Sequence, residues 1–179
     1  MNTDRLIKNI LDQVKEAQLK LGFARETMRL YYPVSSLNEL LHANAETAEE
    51  MAELLQSADL FSGLPGEASF RTHAGRLEIC VPPETVVFCH EQLPEPAFLK
   101  AMIELFAAHH APDRTMLRQV FEKFSDSYVL EEMPEGTDFD YVMYFPGKEP
   151  DEYYYCIKEE MGHTIYHRFM EEDYRQLLD

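Results

Sequence analysis

Residues 138–174, DFDYVMYFPGKEPDEYYYCIKEEMGHTIYHRFMEEDY, hold most of the ten tyrosines and leave the chain few ways to fold around them. Aromatic and β-branched residues cluster at 153–157 and 164–166, and Gly162 stands second in a two-residue break at Met161-Gly162. That pattern predicts a hairpin with a mirror-type turn, Tyr153–Lys158 against His163–Phe169. Its register sets Cys156 opposite His167, on one face with Tyr154, Ile165 and Phe169. Tyr153, Tyr155, Ile157, Tyr166 and Arg168 take the other face, and a one-residue slip would exchange the two sets. The block therefore reads as an antiparallel meander whose aromatic faces collect the helices that precede it.

Those helices are legible from apolar spacing. Leu6, Ile7, Ile10, Leu11, Val14, Ala17 and Leu21 recur at helical intervals, predicting a helix over 3–21 closed by Gly22, with Phe23 in contact across the cap. ARETMRLYYP is a short helix or an extended lead ended by Pro33. Ser36 with Glu39, then Thr47 with Glu50, give two capping-box patterns. The second opens a helix that should bury Met51, Leu54, Leu55 and Ala58 and display Glu46, Glu49, Glu50 and Glu53. SGLPGE breaks the helical run. Three short strands are expected next, at 69–73, 76–81 and 85–90, with turns at Ala74-Gly75 and Pro82-Pro83-Glu84.

LPEP at 93–96 is the strongest internal break. Beyond it, Phe98, Leu99, Met102, Ile103 and Phe106 predict a helix with Pro96 at its first position, ending near His109-His110. Asp113 caps another that turns Met116, Leu117, Val120, Phe121 and Phe124 inward. Helices followed by an antiparallel β-meander thus occur twice. The class is α+β, a single domain over 1–179 with sub-units 1–93 and 94–179. The first half's order of helix, short helix, helix and hairpin is also that of a winged helix.

A net charge of −17 on 179 residues repels phosphate backbones and anionic headgroups, so nucleic acid and membrane are not the expected partners. The third helix of the first half, which in a DNA-binding winged helix would enter the major groove, carries glutamates and no lysine or arginine. No apolar run reaches membrane-spanning length. Three cysteines, an odd number without CxxC spacing, point to reduced thiols and a cytoplasmic setting. GxGxxG, Walker, GxSxG and HExxH patterns do not occur, and no cofactor is expected.

Candidate chemistry concentrates in the tyrosine block. Cys156 beside His167 is the raw material of a thiolate nucleophile, although a buried thiol next to a hydrogen-bonded histidine explains the same pair. His163 and His167 are the metal candidates. On a strand they share a face but lie roughly 13 Å apart, too far for one ion, and Thr164, Ile165 and Tyr166 favour the strand. Glu159 and Glu160 read as a solvated tip, and His109-His110 as a helix C-terminal cap whose positive charge complements the dipole.

The run YFPGKEPDEYYYCIKEEMGHTIYHRFMEEDY resembles a family of small bacterial proteins from Gram-positive anaerobes, a domain of unknown function. The resemblance implies a bacterial cytosolic origin and transfers no catalytic residues. From the residues, the favoured reading is a non-enzymatic protein that binds another protein or forms a homodimer through Tyr153, Tyr154, Tyr155, Tyr166 and Arg168. A small hydrolase or transferase using Cys156 and His167, or a histidine-bound metal, is the alternative. A winged-helix transcription-associated module is the third reading.

Overall fold

The N-terminal periodicity becomes helix α1, Asp4–Leu21, in a computed structural model that describes residues 1–179. Leu6, Ile10 and Val14 are fully buried, whereas Leu21 at the last turn is exposed. Gly22 donates its N–H to the Gln18 carbonyl at 2.9 Å and closes the helix. Phe23 stacks on the His90 ring at 4.1 Å. Two polar residues share the buried stripe. Asn9 accepts from the Tyr32 hydroxyl at 2.7 Å. Lys15 donates to the Cys89 carbonyl at 3.0 Å.

The chain forms two compact units, Met1–Pro94 and Glu95–Asp179. In the first, β1 (Met28–Tyr32) follows α1, so the ARETMRLYYP stretch takes the extended form. Helix α2 (Val34–Leu41) begins directly after Pro33, two residues before the expected Ser36 cap, and Ser36 is buried inside it. Helix α3 (Ala48–Ser57) starts at the second capping box. The Glu50 N–H donates to Thr47 Oγ1 at 3.2 Å, and the Glu50 carboxylate accepts from the Glu46 N–H at 2.7 Å. Met51 and Leu55 are buried, but Leu54 and Ala58 face outward: the inward stripe is narrower than the apolar one.

Strands β2 (Ser69–His73) and β3 (Arg76–Val81) form a hairpin. Ala74 and Gly75 both take positive φ at its turn, 50° and 77°, as a mirror-type turn requires. The sheet order is β1-β3-β2, antiparallel throughout. Its inner face is Leu30, Tyr32, Leu77, Ile79 and Val81. The third strand is therefore β1 and not 85–90. That segment is helix α4, Pro83–Gln92. Pro83 occupies its first turn, where a missing N–H costs nothing, and this outweighs the strand preference of Val86-Val87-Phe88. Thr85 donates to the Pro65 carbonyl at 2.6 Å, tying the helix start to SGLPGE. Gly66 in that loop has φ +87°, and a Cβ there would meet Pro82 Cγ at 2.7 Å. The Lys15 ammonium satisfies a carbonyl in the last turn of α4, a group no helical N–H can reach.

In the second unit α5 (Ala97–Ala108) and α6 (Arg114–Phe124) precede β4 (Val129–Glu132), β5 (Tyr141–Tyr144), β6 (Tyr154–Glu160) and β7 (His163–Phe169). Pro96 lies one residue before the first turn of α5, not in it. The strands run as a simple meander, β4-β5-β6-β7. Cys156 pairs with His167, and Met161-Gly162 turn with φ of 51° and 78°. Phe98 of α5 meets Phe121, Phe145 and Tyr155 edge-on at 4.8, 4.9 and 5.4 Å, which seats both helices on one sheet face.

Where no element was expected, α7 (Glu171–Leu178) follows β7 and covers the other face. Tyr174 stacks on Tyr154 at 4.5 Å, and Tyr154 on Tyr144 at 4.3 Å. Glu171 anchors the helix start, accepting from Lys148 at 2.8 Å and from Arg175 at 2.6 Å. The Lys148 hydrogen bond, with the charge of both cations, holds the Glu171 carboxyl below its ordinary range. A lowered folded-state value means the contribution is complete above the unfolded value, about 4.3, and is lost as pH falls further. Protection of α7 amides, taken relative to their intrinsic exchange rate at each pH, should therefore fall below about pH 4, and Glu171→Gln should remove that dependence at a cost under about 1 kcal/mol at neutral pH.

Candidate functional site

The hairpin register sets Cys156 and His167 opposite each other but gives them different surroundings. Cys156 is fully buried among Met133 and Val142, and burial pushes its thiol up to about 12. The His167 ring is exposed and lies against Phe139 and Phe169, at 5.5 and 6.1 Å. No hydrogen bond joins the pair. Cys89 is likewise buried, its thiol pushed up to about 11 by burial. A thiol reagent at pH 8 should thus leave Cys89 and Cys156 unlabelled in the folded chain and modify both once denaturant is added. Labelling of Cys156 in the native state would contradict this placement.

His163 and His167 stand four residues apart on β7, so strand geometry separates them. His163 instead approaches His110, ring centroids 6.0 Å apart. No group of three or more His, Cys, Asp or Glu side chains is arranged to hold a metal ion.

The five tyrosine-block binding candidates divide by burial. Tyr153 and Tyr155 are core residues, which takes them out of any contact surface. Tyr155 donates to Asp151 at 2.8 Å, and the other Asp151 oxygen accepts the Tyr153 N–H at 2.8 Å. Burial, then the Asp151 charge, keeps the Tyr155 hydroxyl protonated well beyond its ordinary range. The Arg168 guanidinium lies over the Tyr153 ring at 4.2 Å. Tyr154, Tyr166 and Arg168 are half-buried.

The exposed chemistry lies at the hairpin tip. The β6–β7 turn and the α5–α6 connection enclose a cleft of about 320 Å³ lined by Asp113, Glu159, Glu160, Met161, His163 and Thr164. The Thr164 N–H donates to the His110 carbonyl at 2.9 Å and pins the two segments together. The Glu159 N–H donates to Asp140 at 2.6 Å, and Asp113 caps α6 by accepting the Met116 N–H at 2.9 Å. Beneath, Arg114 pairs with Glu132 and lies 4.2 Å from the centre of the Tyr141 ring. Tyr141 is fully buried. Burial raises its pKa, and the Glu159 charge adds to the rise. Met161 at the rim is 93% exposed, and Ile165 further along β7 is 47% exposed. Three carboxylates and an exposed thioether thus line the cleft, and Glu160 pairs with Lys158 at 3.3 Å.

A model for the family described as "Domain of unknown function, E. rectale Gene description", DUF3877, matches residues 3–178. The chain belongs to this family. No curated protein and no solved structure matches it. For this DUF3877 chain, sequence reasoning saw Asp113 as a cap and Glu159 and Glu160 as a solvated tip. Their convergence depends on the His110–Thr164 contact, between segments more than fifty residues apart, and no local pattern signals it. No helix is long and apolar enough to cross a membrane.

Proposed function

We propose that this protein is a non-enzymatic binding module whose contact surface is the tip and outer edge of the β6–β7 hairpin, and that its partner is a protein segment carrying lysine or arginine. The observation that supports this most is the acidic cleft with Met161 exposed at its rim. A basic side chain entering there meets Asp113, Glu159 and Glu160 while its aliphatic stem lies along Met161. The strongly acidic chain attracts such partners over a distance of about a Debye length. Tyr153 and Tyr155 serve from inside by stiffening β6, while Tyr154, Tyr166 and Arg168 stand at the half-buried margin. Rigid backing lowers the ordering cost of binding.

The test is fluorescence anisotropy with labelled peptides that place lysines or arginines beside leucine. Binding should weaken with salt, and the double charge reversal Glu159→Lys/Glu160→Lys should lower affinity at least about tenfold, or 1.4 kcal/mol. Peptide binding that ignores the reversal would refute the cleft as the contact.

A further inference from the structure

The first unit segregates its charge. Strands β1 to β3 carry Arg29, Arg71, Arg76 and His73, with Glu78 as their one acidic residue. Glu78 is 5% exposed. It accepts from the Cys80 thiol at 3.2 Å and lies 3.8 Å from Arg29, with Arg71 also acting on it. What the hairpin shows to solvent is therefore basic, within a chain of net charge −17: Arg71, His73 and Arg76 are all exposed. Tyr31, 44% exposed, extends that face beside His73, ring centroids 5.7 Å apart.

The same unit carries the opposite surface on α3. A groove of about 440 Å³ is lined by Asn44, Ala45, Glu50, Glu53, Leu54 and Ser57. Leu54 is 41% exposed in it. One Glu50 oxygen is engaged by the Glu46 N–H, whereas the Glu53 carboxylate has no ion-pair partner. A nucleic acid is a poor occupant for this unit, because α3 would repel the phosphates that the hairpin attracts. A body that presents an acidic groove and a basic hairpin together complements both features. Another copy of the chain is such a body.

We propose that two copies pair through these surfaces: the β2–β3 hairpin of each seats on the α3 groove of the other. Arg71 and Arg76 face Glu50 and Glu53, and Leu54 gives the contact an apolar floor. Because donor and acceptor surfaces belong to one unit, a two-fold exchange closes the assembly at a dimer. The pairing is independent of the cleft in the second unit.

Sedimentation velocity of the full chain tests it. A dimer is expected at about 0.05 M salt and dissociation toward monomer at about 0.5 M. Glu53→Arg alone and Arg76→Glu alone should each raise the dimer dissociation constant at least about tenfold, because like charges then meet at both contacts. Both positions are exposed, and unchanged melting curves would show that folding is intact. An equimolar mixture of the two variants should recover a heterodimer, since one contact is then native and the other has its charges exchanged. A monomer at low salt overturns the proposal, as does a dimer indifferent to both substitutions or a mixture that fails to pair. Glu159→Lys/Glu160→Lys should leave the dimer unchanged, which separates this result from the fate of the cleft.

Discussion

Phe98→Ala should destabilise the second unit by about 3–5 kcal/mol. Phe98 is 2% exposed and occupies the centre of an aromatic cluster. Besides Phe121, Phe145 and Tyr155, it meets Phe124 at 5.3 Å. Truncation removes one ring from four edge-on pairs and leaves a cavity that α5, α6 and the sheet cannot all close at once. A typical domain is stable by only about 5–15 kcal/mol, so this is a large share of the total. The chain contains no tryptophan, and all of its ten tyrosines except Tyr31 and Tyr32 lie in the second unit. Tyrosine fluorescence during urea unfolding therefore reports this unit directly. The midpoint should fall sharply, and Phe98→Leu should recover much of the loss.

Asp151→Ala should have the next largest effect, about 2–4 kcal/mol. Asp151 is 8% exposed and accepts two hydrogen bonds from buried donors, one from the Tyr155 hydroxyl and one from the Tyr153 N–H. Removing the carboxylate strands both donors away from water. It also takes away the Asp151 charge that acts on the Tyr155 hydroxyl together with Arg168. Tyr155→Phe removes one donor and should cost less, about 1 kcal/mol. In Asp151→Ala/Tyr155→Phe the stranded hydroxyl is gone, so the double variant should lose less than the sum of the singles. A coupling of about 1–2 kcal/mol in the urea-derived cycle would identify the pair as a unit. Additive losses would mean that Asp151 acts independently of the Tyr155 hydroxyl.

Local chemistry was legible in the sequence at several turns and helix starts. The Met161-Gly162 turn fixed the β6–β7 register, and through it the opposition of Cys156 and His167. Thr47 and Glu50 announced α3, and Asp113 announced α6. The failures have physical causes. Val86-Val87-Phe88 favours a strand, but Pro82-Pro83 sets the chain for a helix start, and packing of Thr85, Val86 and Cys89 completes it. Leu54 sits at a helical interval that suggests burial yet faces a groove. Ser36 imitates a cap because the sequence does not show that Pro33 already begins the helix. Lys15 and Asn9 are polar residues in a buried stripe, and their partners, the Cys89 carbonyl and Tyr32, are distant in the chain. The cleft was illegible for the same reason: Asp113 and Glu159 meet only after the meander and α6 have formed.

The decisive measurement for the binding reading is native mass spectrometry of the full chain isolated from its source cells under gentle, low-salt conditions. A lysine- or arginine-rich protein should accompany it in fixed ratio, and Glu159→Lys/Glu160→Lys should remove that partner while Arg76→Glu leaves it bound. A chain that carries no other protein, or the same one whether or not the cleft charges are reversed, would contradict the account.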